Sequence, residues 1–193
     1  MFRWLLPVIA LLSFVLTLFH TYRFGRRDYP FFVVAPLYAM LMEWAQRLYL
    51  EYYYIDAGPH LLDVPLVIPF GWAAIFYVAD QAVEWLWRGK DPFPWRSLVG
   101  GLITMVIIVP LEVVGISWDW WLWGVIPQTH GVPWLVPFLP FGAGFSFLLG
   151  YHMADPMERR WSRLLTWGIS LAVLLFLHTR YLLIVQSYLL RLA

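Results

Sequence analysis

Six stretches of nearly unbroken apolar residues dominate the chain, at about 3–20, 31–50, 64–87, 98–117, 132–151 and 164–189, with short polar connections between them. A helix needs about 20 predominantly apolar residues to cross a bilayer. The pattern therefore predicts an all-α polytopic membrane bundle of about six transmembrane helices. It forms a single domain over residues 1–193, with the lipid bilayer as its partner and solvent.

The connections alternate in charge. Arg23, Arg26 and Arg27, then Arg88, Lys90 and Arg96, then Arg159, Arg160 and Arg163 occupy the first, third and fifth, whereas the second (Glu51 to Asp63) and fourth (Ser117 to Gly131) hold no Lys or Arg. Basic loops stay cytoplasmic, so both termini are expected on the other side. The opening Met1-Phe2-Arg3 and the apolar run to Phe19 begin like a signal peptide, but no small-residue cleavage site follows, and the segment reads as a retained first span.

Composition narrows the chemistry. A net charge of +1, with basic residues in short clusters, gives no field for nucleic acid. The absence of cysteine removes disulfides, thiolate metal sites and cysteine nucleophiles. No phosphate loop, dinucleotide fingerprint, nucleophile elbow or haem pattern is present, so no cofactor is expected. His20, His130, His152 and His178 are scattered, and no metal site is expected; Asp56, His60 and Asp63 read as a solvated loop in preference to a half-site.

Pro36, Pro69, Pro110, Pro137 and Pro140 fall inside the proposed spans. A proline there frees a carbonyl and kinks the helix, which opens cavities.

The sequence also echoes itself. Val64-Pro65-Leu66-Val67-Ile68-Pro69-Phe70 matches Val132-Pro133-Trp134-Leu135-Val136-Pro137-Phe138 at four of seven positions. An acid precedes each copy: Glu43 lies 21 residues before Val64, and Glu112 lies 20 before Val132. An aromatic cluster stands between acid and motif, Tyr52-Tyr53-Tyr54 in one copy and Trp118, Trp120, Trp121 and Trp123 in the other. The pattern predicts an internal parallel repeat, with units at about 31–87 and 98–151 and a site between them.

Ionisable residues within spans are costly and mark function or pairing. Glu43 and Arg47 share a helix face at i,i+4 and are expected to neutralise each other. Glu112 has no basic neighbour at helical spacing. An acid without a counter-charge in an apolar helix is suited to donate a proton, which makes Glu112 the first candidate for an acid and Glu43 its repeat-related partner. Asp80 and Glu84, also i,i+4, form a secondary polar site expected to pair with Arg88, Lys90 or Arg96. The thirteen Trp and eleven Tyr exceed what two interfacial belts require. Tyr53, Tyr54, Trp72, Trp118, Trp120 and Trp121 are candidates to line a slot for a flat apolar ligand, where ring faces also stabilise a transient carbocation.

The stretch Glu43 to Trp72, with Tyr52-Tyr53-Tyr54-Ile55-Asp56-Ala57-Gly58-Pro59 leading into Asp63-Val64-Pro65-Leu66-Val67-Ile68-Pro69-Phe70-Gly71-Trp72, resembles the first signature of the membrane carotenoid-biosynthesis proteins that include carotenoid hydratases. Gly115 to Trp118, Trp120 and Gly131-Val132-Pro133 resemble the second, and Pro110-Leu111-Glu112 is similar to a Pro-x-Glu element of the lycopene cyclase domain. The chain departs from the hydratases at Ile107-Ile108-Val109-Pro110, where they carry paired aspartates, and at Val136, where they carry asparagine.

The resemblance implies an all-helical enzyme that takes a hydrophobic polyene or isoprenoid and protonates a terminal double bond, leading to hydration or cyclisation. The alternative is a non-catalytic pigment- or lipid-binding membrane subunit, or a small transporter.

Overall fold

The computed structural model describes residues 4–24, 30–50, 52–55, 58–87, 94–123, 128–129, 132–133, 136–154 and 160–192. Six helices account for most of them: α1 (Leu5–Arg23), α2 (Phe31–Leu50), α3 (Val67–Trp87), α4 (Trp95–Ser117), α5 (Phe138–Ala154) and α6 (Arg160–Leu192). Helix α3 packs on α1, α2 and α4, while α5 fills the space between α4 and α6.

Among the described residues, three helices are long and apolar enough to cross a membrane: α1, α4 and residues 161–184 of α6. The other three differ for local reasons. Helix α5 has 17 residues, α2 carries Glu43, Gln46 and Arg47, and α3 carries Asp80, Gln81 and Glu84.

Apolar side chains face outward along α1 (Leu12, Val15, Phe19) and α6 (Leu165, Ile169, Phe176, Ile184). Contiguous apolar faces of this kind are costly in water and suited to lipid. The interior is built from small residues and stacked rings. Phe76 stacks on Phe147 at 4.6 Å and Tyr151 on Trp167 at 5.2 Å, so a share of the aromatic excess forms the core of the bundle. Helices α4 and α5 approach closely because Gly101 and Gly144 lack side chains; a Cβ on Gly101 would stand 2.9 Å from the Phe141 carbonyl, and one on Gly144 would overlap Thr104.

The proline expectation is corrected at three positions. Only Pro36 and Pro110 lie in helix interiors. Pro69 and Pro140 fall in the first turns of α3 and α5, where no intrahelical donor is lost, and Pro137 precedes α5.

Short antiparallel pairs cover one end of the bundle. Strand β1 (Tyr52–Tyr54) pairs with β4 (Trp121–Trp123), β2 (His60–Leu61) with β3 (Val64–Pro65), and β5 (Gln128–Thr129) with β6 (Val132–Pro133). The β2–β3 turn is made by Leu62 and Asp63, both at positive φ (53° and 61°), the geometry of a two-residue hairpin that follows strand twist. The two hairpins share one register: His60 faces Pro65 and Leu61 faces Val64, as Gln128 faces Pro133 and Thr129 faces Val132. Arg26, Arg27, Arg88, Lys90, Asp56, His130, Gly131, Trp134, Leu135 and Arg159 lie outside the described residues.

Candidate functional site

The site begins with the way α4 ends. Trp120 donates its backbone N–H to the Gly115 carbonyl (2.8 Å) and Asp119 to the Ile116 carbonyl (3.2 Å), with Asp119 at φ 56°. This Schellman closure reverses the chain and sends β4 back along the last turns of α4. Trp121 then returns to the residue nine positions earlier: its indole Nε1 donates to Glu112 Oε2 at 2.8 Å, and Trp123 Nε1 donates to the same oxygen at 3.4 Å. Gly115 makes room, because a Cβ there would run into the Trp121 ring.

Glu43 draws its donors from residues that follow it in the chain. It is buried on α2, and Tyr54 donates its hydroxyl to Glu43 Oε2 at 2.9 Å while the Trp72 indole donates to Oε1. The two acids follow one rule: the aromatic residue eleven positions on donates to each, Tyr54 to Glu43 and Trp123 to Glu112. Burial, with the Glu43 and Glu112 carboxylates adding to it, pushes the Tyr54 phenol well above its ordinary value, so it remains a donor.

Both acids open on one apolar cavity of about 420 Å³ between α1, α3 and α4. Its polar lining is sparse: Glu43, Gln46, Tyr54 and Glu112 at one end, Ser13 and Thr17 along α1. Gly71 and Ala74 floor it from α3. The lining on α3 runs from Ile68 to Val78, roughly 15 Å at 1.5 Å per helical residue, so the cavity is a slot along the helices. Such a chamber suits an extended apolar ligand with its end against the acids.

Of the residues expected here from the sequence, Glu43, Glu112, Tyr54, Trp72, Trp120 and Trp121 line the cavity. Tyr53 and Trp118 do not. Strand alternation turns Tyr53 outward, where it is 51% exposed beneath the Arg47 guanidinium at 5.5 Å. Trp118 caps α4 and packs edge-on against Trp120 at 5.2 Å. Trp123 and Gln46 line the cavity without having been singled out as ligand contacts; only their tertiary placement reveals them.

The expected Glu43–Arg47 pair is replaced by another. Arg47 binds Asp63, side chain to carboxylate at 3.1 Å and to the backbone carbonyl at 2.7 Å, because the β2–β3 turn brings Asp63 to it. His60 and Asp63 are exposed, and no metal-ligating group of three forms among the described residues.

Asp80 and Glu84 sit apart from the cavity. Arg96 Nη2 lies 3.2 Å from Asp80 Oδ1 and 3.8 Å from Glu84 Oε2, in line with the pairing expected for Arg96. His152 Nε2, 2.8 Å from the same Asp80 oxygen, ties α5 into this cluster.

No family model, curated protein or solved structure matches the chain.

Proposed function

We propose that this chain is an integral membrane enzyme of isoprenoid or carotenoid metabolism that protonates a double bond at the end of a polyene, with Glu112 as the donor. One observation carries the reading. In an otherwise apolar slot, both indoles that hold Glu112 converge on Oε2, leaving Oε1 without a donor among the described residues. Nor is Oε1 among the side-chain atoms sealed in the interior without a partner, and Glu112 lines the cavity. A carboxyl held by one oxygen and bare at the other is oriented to deliver a proton from the bare one. Glu43, engaged at both oxygens, is the fixed member of the pair. The rings of Trp120, Trp121 and Tyr54 beside the acids offer π faces to the cation that protonation creates.

In this reading all six helices cross the bilayer, with Arg23 and Arg96 toward the cytoplasm and the β pairs on the opposite side. The matched registers of the two hairpins, and the matched acid-to-aromatic spacing, support descent of the two units from one parallel repeat. The β1–β4 pairing supports it too: Tyr53 faces Leu122, with Tyr52–Trp123 and Tyr54–Trp121 as its two flanks, the arrangement a two-fold axis between units produces.

The test is expression in a lycopene-accumulating bacterial host, with the extracted pigments resolved by liquid chromatography and mass detection. A product heavier by one water supports hydration and an isobaric shifted product supports cyclisation. Unchanged pigment that copurifies with the protein favours a binding subunit, and neither product nor bound pigment overturns the polyene reading.

A further inference from the structure

The slot contains a second polar group that protonation does not use. Gln46, on α2 one turn beyond Glu43, lines the cavity and is only 4% exposed. Its amide nitrogen lies 3.3 Å from His178 Nε2, so the amide donates and the imidazole accepts. That contact takes up the nitrogen and leaves the carbonyl oxygen Oε1 with no donor among the described residues. Oε1 is also not among the atoms sealed in the interior without a partner, and it belongs to a side chain that lines the cavity.

His178 is an unusual residue to bury. It sits 5% exposed on α6, a helix whose other face is apolar and outward, and it fits only because Gly142 has no side chain: a Cβ there would stand 2.7 Å from His178 Nδ1. A polar pair placed at such cost on apolar helices has its geometry fixed, the imidazole bracing the amide so that its acceptor points one way.

From this we infer that Gln46, braced by His178, forms a subsite for the O–H group of a water or a hydroxylated isoprenoid, beside the acids at the polar end of the slot. The inference rests on the proposed reading for its place in a reaction, though the binding itself does not require that reading. Within it, the Glu112 Oε1–H bond breaks as a C–H bond forms on the alkene. A water that donates one O–H to Gln46 Oε1 turns a lone pair toward the resulting cation and forms the C–O bond. The oxonium then returns a proton to the Glu112 carboxylate. The net change is alkene plus water to tertiary alcohol, with Gln46 and His178 as positioning residues.

The binding test uses the full chain purified in detergent, with tryptophan quenching by two probes of equal length, nerolidol (a C15 tertiary alcohol) and farnesene (its hydrocarbon counterpart). The expected preference for the alcohol is roughly five- to tenfold, the size of one net hydrogen bond. Gln46→Met should erase that preference. Gln46→Asn, which keeps an amide but withdraws it, should do the same and serves if the methionine variant does not fold. Equal affinity of the natural chain for both probes overturns the subsite. So does a preference that survives Gln46→Met and falls with Ser13→Ala, since that moves the hydroxyl contact to α1. Deuterium incorporation into the polyene from D₂O reports protonation by Glu112 separately. Its absence from a chain that still prefers the alcohol removes the catalytic reading and leaves the subsite standing.

Discussion

Tyr54 and Trp121 stand directly opposite each other in the β1–β4 ladder, their rings 6.0 Å apart and edge to face, and each donates a hydrogen bond to a different glutamate. Tyr54 serves Glu43 on α2 and Trp121 serves Glu112 on α4. One strand pair thus fixes the positions of two acids that belong to different helices. The cost of keeping carboxyl groups in an apolar chamber is offset by phenol and indole donors, with no ion pair to either acid among the described residues.

In the proposed proton-donor role, Glu112 is the residue whose loss should be felt in chemistry and not in folding. Glu112→Gln keeps the shape and still accepts at its amide carbonyl, so the indole contacts survive while the acidic proton is gone. Turnover of the polyene should fall by about 10²–10⁴-fold, the usual worth of one positioned general acid. The thermal midpoint and the elution profile in detergent should stay within experimental error of the natural chain. Full activity in the variant would remove Glu112 from the mechanism.

The two indoles differ in reach, and their removal should differ accordingly. Trp121 Nε1 stands 2.8 Å from Glu112 Oε2 and Trp123 Nε1 stands 3.4 Å away. Trp121→Phe retains an aromatic ring but deletes the shorter bond, which becomes charge-assisted and worth about 1.5–3 kcal/mol once the proton has left Glu112. It should reduce turnover by at least tenfold, and Trp123→Phe by less. The opposite order, measured in the same pigment assay, would contradict this hydrogen-bond geometry.

Much of this arrangement was visible in the residue pattern. Glu43 and Glu112 stood out because an acid in an apolar helix demands an explanation, and Val64-Pro65 and Val132-Pro133 each form the second strand of a short antiparallel pair with the same register. What the chain does at its turns was not visible. Tyr53 and Tyr54 are adjacent and chemically alike, and only strand pairing sends one to Arg47 and the other to Glu43. Trp118 and Trp121 are separated by the αL residue Asp119, whose conformation decides which ring returns to the helix. The Arg47–Asp63 and Gln46–His178 contacts join residues 16 and 132 positions apart, beyond the reach of helical spacing.

Two glycines provide a matched test of packing. Ala in place of Gly stabilises a helix interior by about 0.5–1 kcal/mol when space allows. Gly168 on α6 has nothing within 4 Å of its added Cβ, so Gly168→Ala should be neutral or slightly stabilising. At Gly115 the same substitution drives the Trp121 indole off Glu112 and should lower both stability and turnover. Equal thermal midpoints for the two variants would show that Trp121 is not seated against α4.

The Asp80 cluster should behave as structure. Arg96 bridges α4 to Asp80 and Glu84 on α3, and His152 adds α5, well away from the slot. Arg96→Met removes the guanidinium and leaves the buried Asp80 carboxylate to His152 and Gln81, a loss of about 1.5–3 kcal/mol for one hydrogen bond to a charged group. Denaturation in detergent should show a clearly lower midpoint, with turnover per folded molecule unchanged. A normal midpoint with reduced turnover would bring this cluster into the mechanism.

Sidedness can be read directly because the chain contains no cysteine, so any single introduced thiol is the sole target of a label. The strand pairs and the Arg96 end of α4 belong to opposite faces in the proposed six-span arrangement. His60, exposed in β2, is the reporter for the non-cytoplasmic face, and Trp95, 58% exposed at the start of α4, is the reporter for the cytoplasmic one. His60→Cys should react with a membrane-impermeant maleimide in intact cells, and Trp95→Cys only after permeabilisation, because in that arrangement the basic first, third and fifth loops are the cytoplasmic ones. The reverse pattern would invert the orientation while leaving the span count intact. Labelling of both positions from outside would mean that the segment between them, which holds α3, does not cross the bilayer. The acids at the β-strand end would then have to be reached from the same side as the Asp80 cluster.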